Sequence, residues 1–313
     1  MKTACARWKT SWGQWAGGIA CLLLAAAANA AEPLVSAAWV KANLDKPGIV
    51  YVDFQSSADY LRGHIPGAVN SNYAKDGWRE DRAGDKVPDM LPVKLDALGA
   101  MIGRLGIDNA THVVLAPPGL SASDMSIGTR VYWTLKVLGH DNVSILDGGM
   151  AAWMKDKSNP LQTGAVNAEP KTFNVKVREE MIVSMDDVKK ARAAGALLVD
   201  NRPEDQFAGI NRSPKATESG TIAGAKNLPN AWMTVNGMGQ FRSRKQIEQL
   251  YQFAGVPVSG EQINFCNTGH LASLGWFVSS ELLGNKQARL YDGSMVEWTM
   301  LKGGAMERKI TLE

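Results

Sequence analysis

Cysteine is scarce in this chain. Its 313 residues hold three, and Cys5 and Cys21 both fall in the first thirty. Beyond residue 30 Cys266 stands alone, so no disulfide framework can form there. Histidine is nearly as rare, with four residues, and none stands at ligand-type spacing from Cys266 or from another histidine. That argues against a zinc site. No stretch after the first thirty residues reaches the roughly eighteen apolar residues of a membrane helix. A basic face of the kind nucleic acid requires is missing as well.

The net charge of +3 belongs to the first thirty residues. Lys2, Arg7 and Lys9 form a positive start, Ala16 to Ala28 is apolar and small, and Ala28-Asn29-Ala30 fits a signal-peptidase site. Residues 1–30 therefore read as a Sec-type signal peptide cleaved after Ala30, which implies a periplasmic or secreted protein. No Arg-Arg pair supports twin-arginine export. Cys21 raises a lipoprotein alternative, but Gly18 stands where a large aliphatic belongs. Taking three basic residues from 34 leaves 31 against 31 acidic ones, a neutral mature chain.

The remaining cysteine is well placed for chemistry. Cys266 follows the apolar run Gln262-Ile263-Asn264-Phe265 and opens the turn Asn267-Thr268-Gly269-His270, and Leu271 to Val278 continues as a helical-looking segment. A strand, a tight glycine-containing loop and a helix start aim backbone N–H groups at one spot. A thiol there is expected to have its pKa lowered toward the nucleophilic thiolate. The competing reading is a buried structural cysteine.

An internal repeat favours the first reading. Ile49-Val50-Tyr51-Val52-Asp53 is echoed by Ala196-Leu197-Leu198-Val199-Asp200. Gly63-His64-Ile65-Pro66-Gly67-Ala68 returns as Gly220-Thr221-Ile222-Ala223-Gly224-Ala225. Val113 to Ala116 matches Ile263 to Cys266, and Asp147-Gly148-Gly149-Met150 with Trp153 matches Asp292-Gly293-Ser294-Met295 with Trp298. A period of roughly 145 to 157 residues is that of a duplicated domain. Each copy alternates short apolar runs with helical patterns, including a strand at 49–53 and helices at Leu95–Leu105 and Thr129–Leu138. This is the pattern of an α/β unit with a largely parallel sheet. The divisions are 31–157, a Pro- and Gly-containing linker at 158–171, and 172–313.

These motifs, in this order, resemble the tandem-domain rhodaneses, or thiosulfate sulfurtransferases, in an exported bacterial-type form. The resemblance spans about Leu34 to Met306. It implies two rhodanese-like domains, each a central parallel sheet flanked by helices, packed face to face. The second would be catalytic and the first, with Ala116 opposite Cys266 and a longer loop at Pro117–Ser126, inactive and forming one wall of an interdomain cleft. The implied reaction moves a sulfane sulfur from thiosulfate or a similar anionic donor, through a Cys266 persulfide, to cyanide, a thiol or an acceptor protein. No metal or organic cofactor is required.

Donors from Asn267, Thr268, Gly269, His270 and Leu271 would hold the anionic sulfur. That loop lacks the Lys or Arg usual in thiosulfate sulfurtransferases, so the resemblance transfers the charge to Arg202, in the Asp-x-Arg motif facing the site. Arg242 and Arg244 read as surface residues, and Trp232 and Met233 as lining the pocket mouth or packing the core. His270 either tunes the thiolate or faces solvent, while Asp200 and Asp292 anchor turns. A phosphatase relative would need Arg six residues after the cysteine, where this chain has Ala272. A disulfide oxidoreductase would need a second nearby cysteine. A persulfide carrier or partner-binding module with little thiosulfate turnover is the remaining alternative.

Overall fold

The computed structural model describes residues 31–312. The leader and its cleavage point lie outside them. Two parallel sheets organise the chain. In the first, Leu34–Val35, Val143–Leu146, His112–Ala116, Ile49–Asp53 and Val69–Asn70 lie side by side in that order. The second runs Ala288–Leu290, Gln262–Phe265, Leu197–Asp200, Lys226–Asn227. Every neighbouring pair in both is parallel. A small antiparallel pair, Thr221–Ile222 with Met306–Glu307, accompanies the second sheet.

Strand side chains alternate between faces, and in a parallel sheet both faces are covered. Val52, Val113 and Leu115 enter one core, whereas Tyr51, Val114 and Ala116 enter another with Val40 and Trp153. The first of these cores crosses the domain boundary and continues through Val199, Cys266, Leu274 and Phe277. Helix Ala122–Val137 contributes to it and packs on helix His270–Phe277. At that contact the Thr129 and Ser273 hydroxyls share a hydrogen bond of 2.8 Å, and Tyr132 meets Phe277 edge-on with ring centroids 5.0 Å apart. At this contact the two domains meet in packed apolar side chains, and beside it a cavity between them is lined by Arg82, Leu91 and Leu95 of the first domain and Val183, Asp292 and Glu297 of the second.

The helix expected at Thr129–Leu138 starts earlier, at Ala122. Ser121 caps it, its hydroxyl accepting the Asp124 N–H at 3.0 Å, so Ser123 and Ser126 ride on helical turns rather than in a loop. The first-domain loop therefore spans 117–121 against 266–269 in the second, and the expected length difference shrinks to one residue. Helix Leu95–Arg104 forms as expected.

The crossover between domains is laid along the first. Residues 162 and 64 exchange backbone hydrogen bonds of 3.0 Å, and Lys171 N–H reaches Gly103 O at 2.9 Å. Arg178 N–H still bonds Val137 O at 2.8 Å, so 172–178 stay on the first domain, and the second domain's helix Met185–Ala193 follows.

One buried group makes the first domain sensitive to pH. Asp53 ends its strand fully buried, held by the Gln55 N–H at 2.7 Å and the Gln55 amide at 2.9 Å, with no cation bonded to it. Burial raises its pKa from 3.8 to about 6, against the lowering by those hydrogen bonds and by nearby His64. A folded-state pKa above the unfolded one means the native state keeps its proton longer. Stability from the neutral carboxyl is thus present below about pH 4 and is lost as pH rises through about 6. Asp53→Asn removes this slope. In urea melts the variant should gain about 2–3 kcal/mol on the wild type between pH 4 and pH 7, and parallel pH profiles would show that Asp53 does not titrate.

Candidate active site

Cys266 stands at the first position after strand Gln262–Phe265, with 1 % of its surface exposed. A single hydroxyl shapes its loop. Ser294 Oγ accepts the N–H of Cys266 and of Gly269, each at 3.0 Å, and donates to Tyr291 O at 2.8 Å. Met295 N–H and Val296 N–H return to the carbonyls of Cys266 and Asn267, both at 3.0 Å. Ser294 does this from a left-handed backbone, φ 51°, which a residue with a Cβ adopts only at a cost.

The first domain repeats this frame without its chemistry. Met150 and Ala151 N–H bond the carbonyls of Pro117 and Pro118, as Met295 and Val296 bond those of Cys266 and Asn267. Strand registers agree: Asp53 lies beside Ala116 and Asp200 beside Phe265. The counterpart of Cys266 is therefore Pro117, one residue beyond the expected Ala116. Ser294 corresponds to Gly149, φ 58°. Proline has no N–H to give and glycine no hydroxyl to receive it, so the cysteine's anchoring bond has lost both partners.

The loop residues divide by role. Backbone N–H groups of Ala272, Thr268 and Leu271 are aimed at the Cys266 sulfur. Asn267 holds the loop from the side, its amide donating to Gln206 Oε1 at 2.9 Å. Gly269, φ 71°, caps helix His270–Phe277 where a Cβ would collide with Arg130 Nη1 and Asp292 Oδ1. The imidazole of His270 contacts Tyr73 Oη at 3.3 Å through Nδ1 and Ser123 O at 3.0 Å through Nε2. Burial, with Arg79 and Arg130 nearby, pushes its pKa down to about 4, so it is neutral and bridges domains.

Two expectations are corrected, for the thiol and for Arg202, and the alternatives left open for Trp232 and Met233 are decided. The thiol pKa is raised, because burial outweighs the three N–H donors and Asp200 adds to it. Arg202 is fully buried and spent: Nε meets Asp200 Oδ1 at 2.9 Å, and Nη2 meets Asp200 Oδ2 at 2.5 Å and Gly220 O at 2.8 Å. Motif spacing puts an arginine near the site without saying which way its fork points. Gln55 makes the same contacts to Asp53 and to Gly63 O in the first domain, the latter at 3.2 Å, which marks the network as scaffold. Met233 lies in the core, and Trp232 packs on the exposed Phe253 at 5.8 Å rather than at the thiol. Arg242 and Arg244 bind backbone carbonyls near the surface, as expected.

What the sequence reading missed comes from the other domain. Arg130, on helix Ala122–Val137, is 1 % exposed and lies 2.5 Å from Asp292 Oδ1. Asp292 Oδ2 accepts the Leu91 N–H at 2.6 Å, and Asp147 reciprocally accepts the Phe241 N–H at 2.9 Å. A turn-anchoring role for Asp292 thus widens into a clamp between domains. The signal was a lone arginine immediately before the run Val131-Tyr132-Trp133-Thr134-Leu135, since charged residues are seldom fully buried without a partner.

Comparison with known proteins agrees with this frame. The rhodanese-like domain model matches residues 36–156 and again 184–301. The chain belongs to the rhodanese family. A putative thiosulfate sulfurtransferase of Mycobacterium tuberculosis is 32 % identical over 289 residues, covering 88 % of this chain and 98 % of the relative. The sulfur carrier protein TtuD of Thermus thermophilus is 30 % identical over 284 residues, covering 87 % and 95 %. Among solved structures, SseA of Escherichia coli, described as a 3-mercaptopyruvate sulfotransferase, superposes with a TM-score of 0.72 at 26 % identity, covering 84 % of this rhodanese and 99 % of that chain.

Ser294→Ala keeps the strained backbone and loses the hydroxyl that gathers two N–H groups. Ser294→Gly loses the hydroxyl but relieves the strain. Denaturant melts should show the alanine variant less stable than the glycine by about 1 kcal/mol, with sulfur transfer reduced in both. Arg202→Ala strands a buried carboxylate and should cost about 3–5 kcal/mol of stability while leaving KM of the folded fraction unchanged. A raised KM would return Arg202 to the binding site.

Proposed function

We propose that this rhodanese is a sulfurtransferase in which Cys266 carries the sulfur as a persulfide. The observation that bears the reading is the convergence of the Thr268, Leu271 and Ala272 N–H groups on one buried sulfur. Such a cradle stabilises an anion without a cation in the loop. With thiosulfate as donor, the Cys266 thiolate attacks the outer sulfur, the S–S bond breaks, and its electron pair leaves with sulfite. A cysteine persulfide remains, and a thiol, cyanide or a protein acceptor then takes its outer sulfur. The first domain, with Pro117 and Gly149 at the two positions that matter, cannot repeat the step.

The raised thiol pKa belongs to the closed molecule, in which the sulfur is shut away from water. Admission of donor requires the loop to open, and that rehydration favours the thiolate. A resting thiol this well sheltered also suits a carrier loaded and unloaded by partner proteins, and slow turnover with free thiosulfate would fit that second reading. Residues 1–30 are proposed to direct export with cleavage after Ala30, so the protein acts outside the cytoplasm. Sequencing the N-terminus of the exported form should give Ala31, and a cytoplasmic form retaining Met1 would exclude this.

Intact mass tests the carrier. Thiosulfate should add one sulfur to the wild type, cyanide should remove it, and Cys266→Ser should take up none; sulfur transfer surviving in that variant would rule out the mechanism. Iodoacetamide tests the thiol. Its rate on the resting protein should keep rising past the roughly 8.5 of an ordinary cysteine, and a plateau below that value would contradict the raised pKa.

A further inference from the structure

The three second-domain arginines weighed for the site are committed elsewhere. Arg202 is bound to Asp200, and Arg242 and Arg244 hold backbone carbonyls. Arg130 differs. Its guanidinium is buried, yet among the described residues Nε and Nη2 have no hydrogen-bond partner, and Nη1 meets only Asp292 Oδ1, at 2.5 Å. An unsatisfied buried guanidinium is expensive, and donors left open in this way mark a place where a ligand completes the site. Nη1 abuts Gly269, at the end of the loop whose amides surround the Cys266 sulfur. The ring of Trp133 backs the guanidinium at 5.0 Å. Asp292 is itself fixed by the Leu91 N–H, so the pair has a rigid seat.

We propose that Arg130, contributed by the first domain, binds the oxyanion end of the sulfur donor beside Cys266. This rests on the persulfide reading above. The donor class is a small molecule with a transferable sulfur and a sulfonate or carboxylate, either of which fits a planar fork of donors. In the thiosulfate step, charge grows on the departing sulfite as the S–S bond lengthens, and Arg130 faces that charge while the loop amides hold the persulfide. Asp292 keeps the guanidinium charged and oriented until an anion shares it. The thiol-free domain thus supplies part of the binding site.

Sulfur loading of the full-length mature protein tests this in a single turnover, with intact mass as readout. Arg130→Gln combined with Asp292→Asn removes the pair without stranding a carboxylate. Near-ultraviolet circular dichroism and iodoacetamide labelling report fold and thiol. The thiosulfate concentration for half-loading should rise about 10–100-fold, the equivalent of losing a charge-assisted hydrogen bond. Discharge of the preloaded persulfide by dithiothreitol should be unchanged, and millimolar guanidinium should restore part of the loading. The same series with 3-mercaptopyruvate separates the donors: a shift with either one supports the site and names its preference. Arg130→Lys, which keeps a charge beside Asp292, is the second variant and should load several-fold less readily. Half-loading unchanged for both donors, in the double variant or in the lysine variant, overturns the proposal while sulfur uptake by the wild type leaves the persulfide reading intact. A wild type that takes up no sulfur instead overturns that reading.

Discussion

The packing of helix Ala122–Val137 against helix His270–Phe277 governs this molecule. Both helices follow the strand whose end is the chemically interesting point of each domain, so joining them brings the two strand ends together. Their shared core includes Cys266. Burial of that surface, at roughly 25 cal/mol per Å2, holds the domains as one body. It also dehydrates the thiol, and through Arg130 and Asp292 it brings charge where the loop has none.

Duplication followed by divergence accounts for most of the site. A backbone frame was kept in both copies, down to the carbonyls that receive Met150 and Met295 N–H. What changed is a handful of side chains: Pro117 against Cys266, Gly149 against Ser294, Gln55 against Arg202. The first two changes remove the thiol and the hydroxyl that gathers its loop. The third trades a buried ion pair for a neutral amide, and leaves Asp53 to carry its desolvation without a cation. The domain without a thiol carries the costlier carboxyl, and its Arg130 reaches across to Asp292 of the other domain.

Much of this was legible in the sequence. The repeat, the strand-ending aspartates, the parallel α/β architecture and the place of Cys266 at a strand end all follow from short-range patterns, because strand periodicity and turn chemistry are local. The one-residue offset between Ala116 and Pro117 was hidden, since apolar runs align equally well one step apart and hydrogen-bond register decides. The helix start at Ala122 was hidden because Ser121, Ser123 and Ser126 read as loop residues until one of them is seen to cap. Arg202 was misplaced and Arg130 missed for a deeper reason. Where a guanidinium points depends on partners distant in the chain, Gly220 for one and Asp292 for the other, and no local pattern encodes them.

The strap at 158–178 has a consequence for how the chain is held together. It lies along the first domain and adds little to the contact between the two halves, which the shared core supplies. Covalent continuity then acts mainly through local concentration. A break after Arg178 would leave two fragments, each with a large apolar face and half a site, and each an incomplete mould that only the other fills. Each half of the single chain thus completes the core of the other.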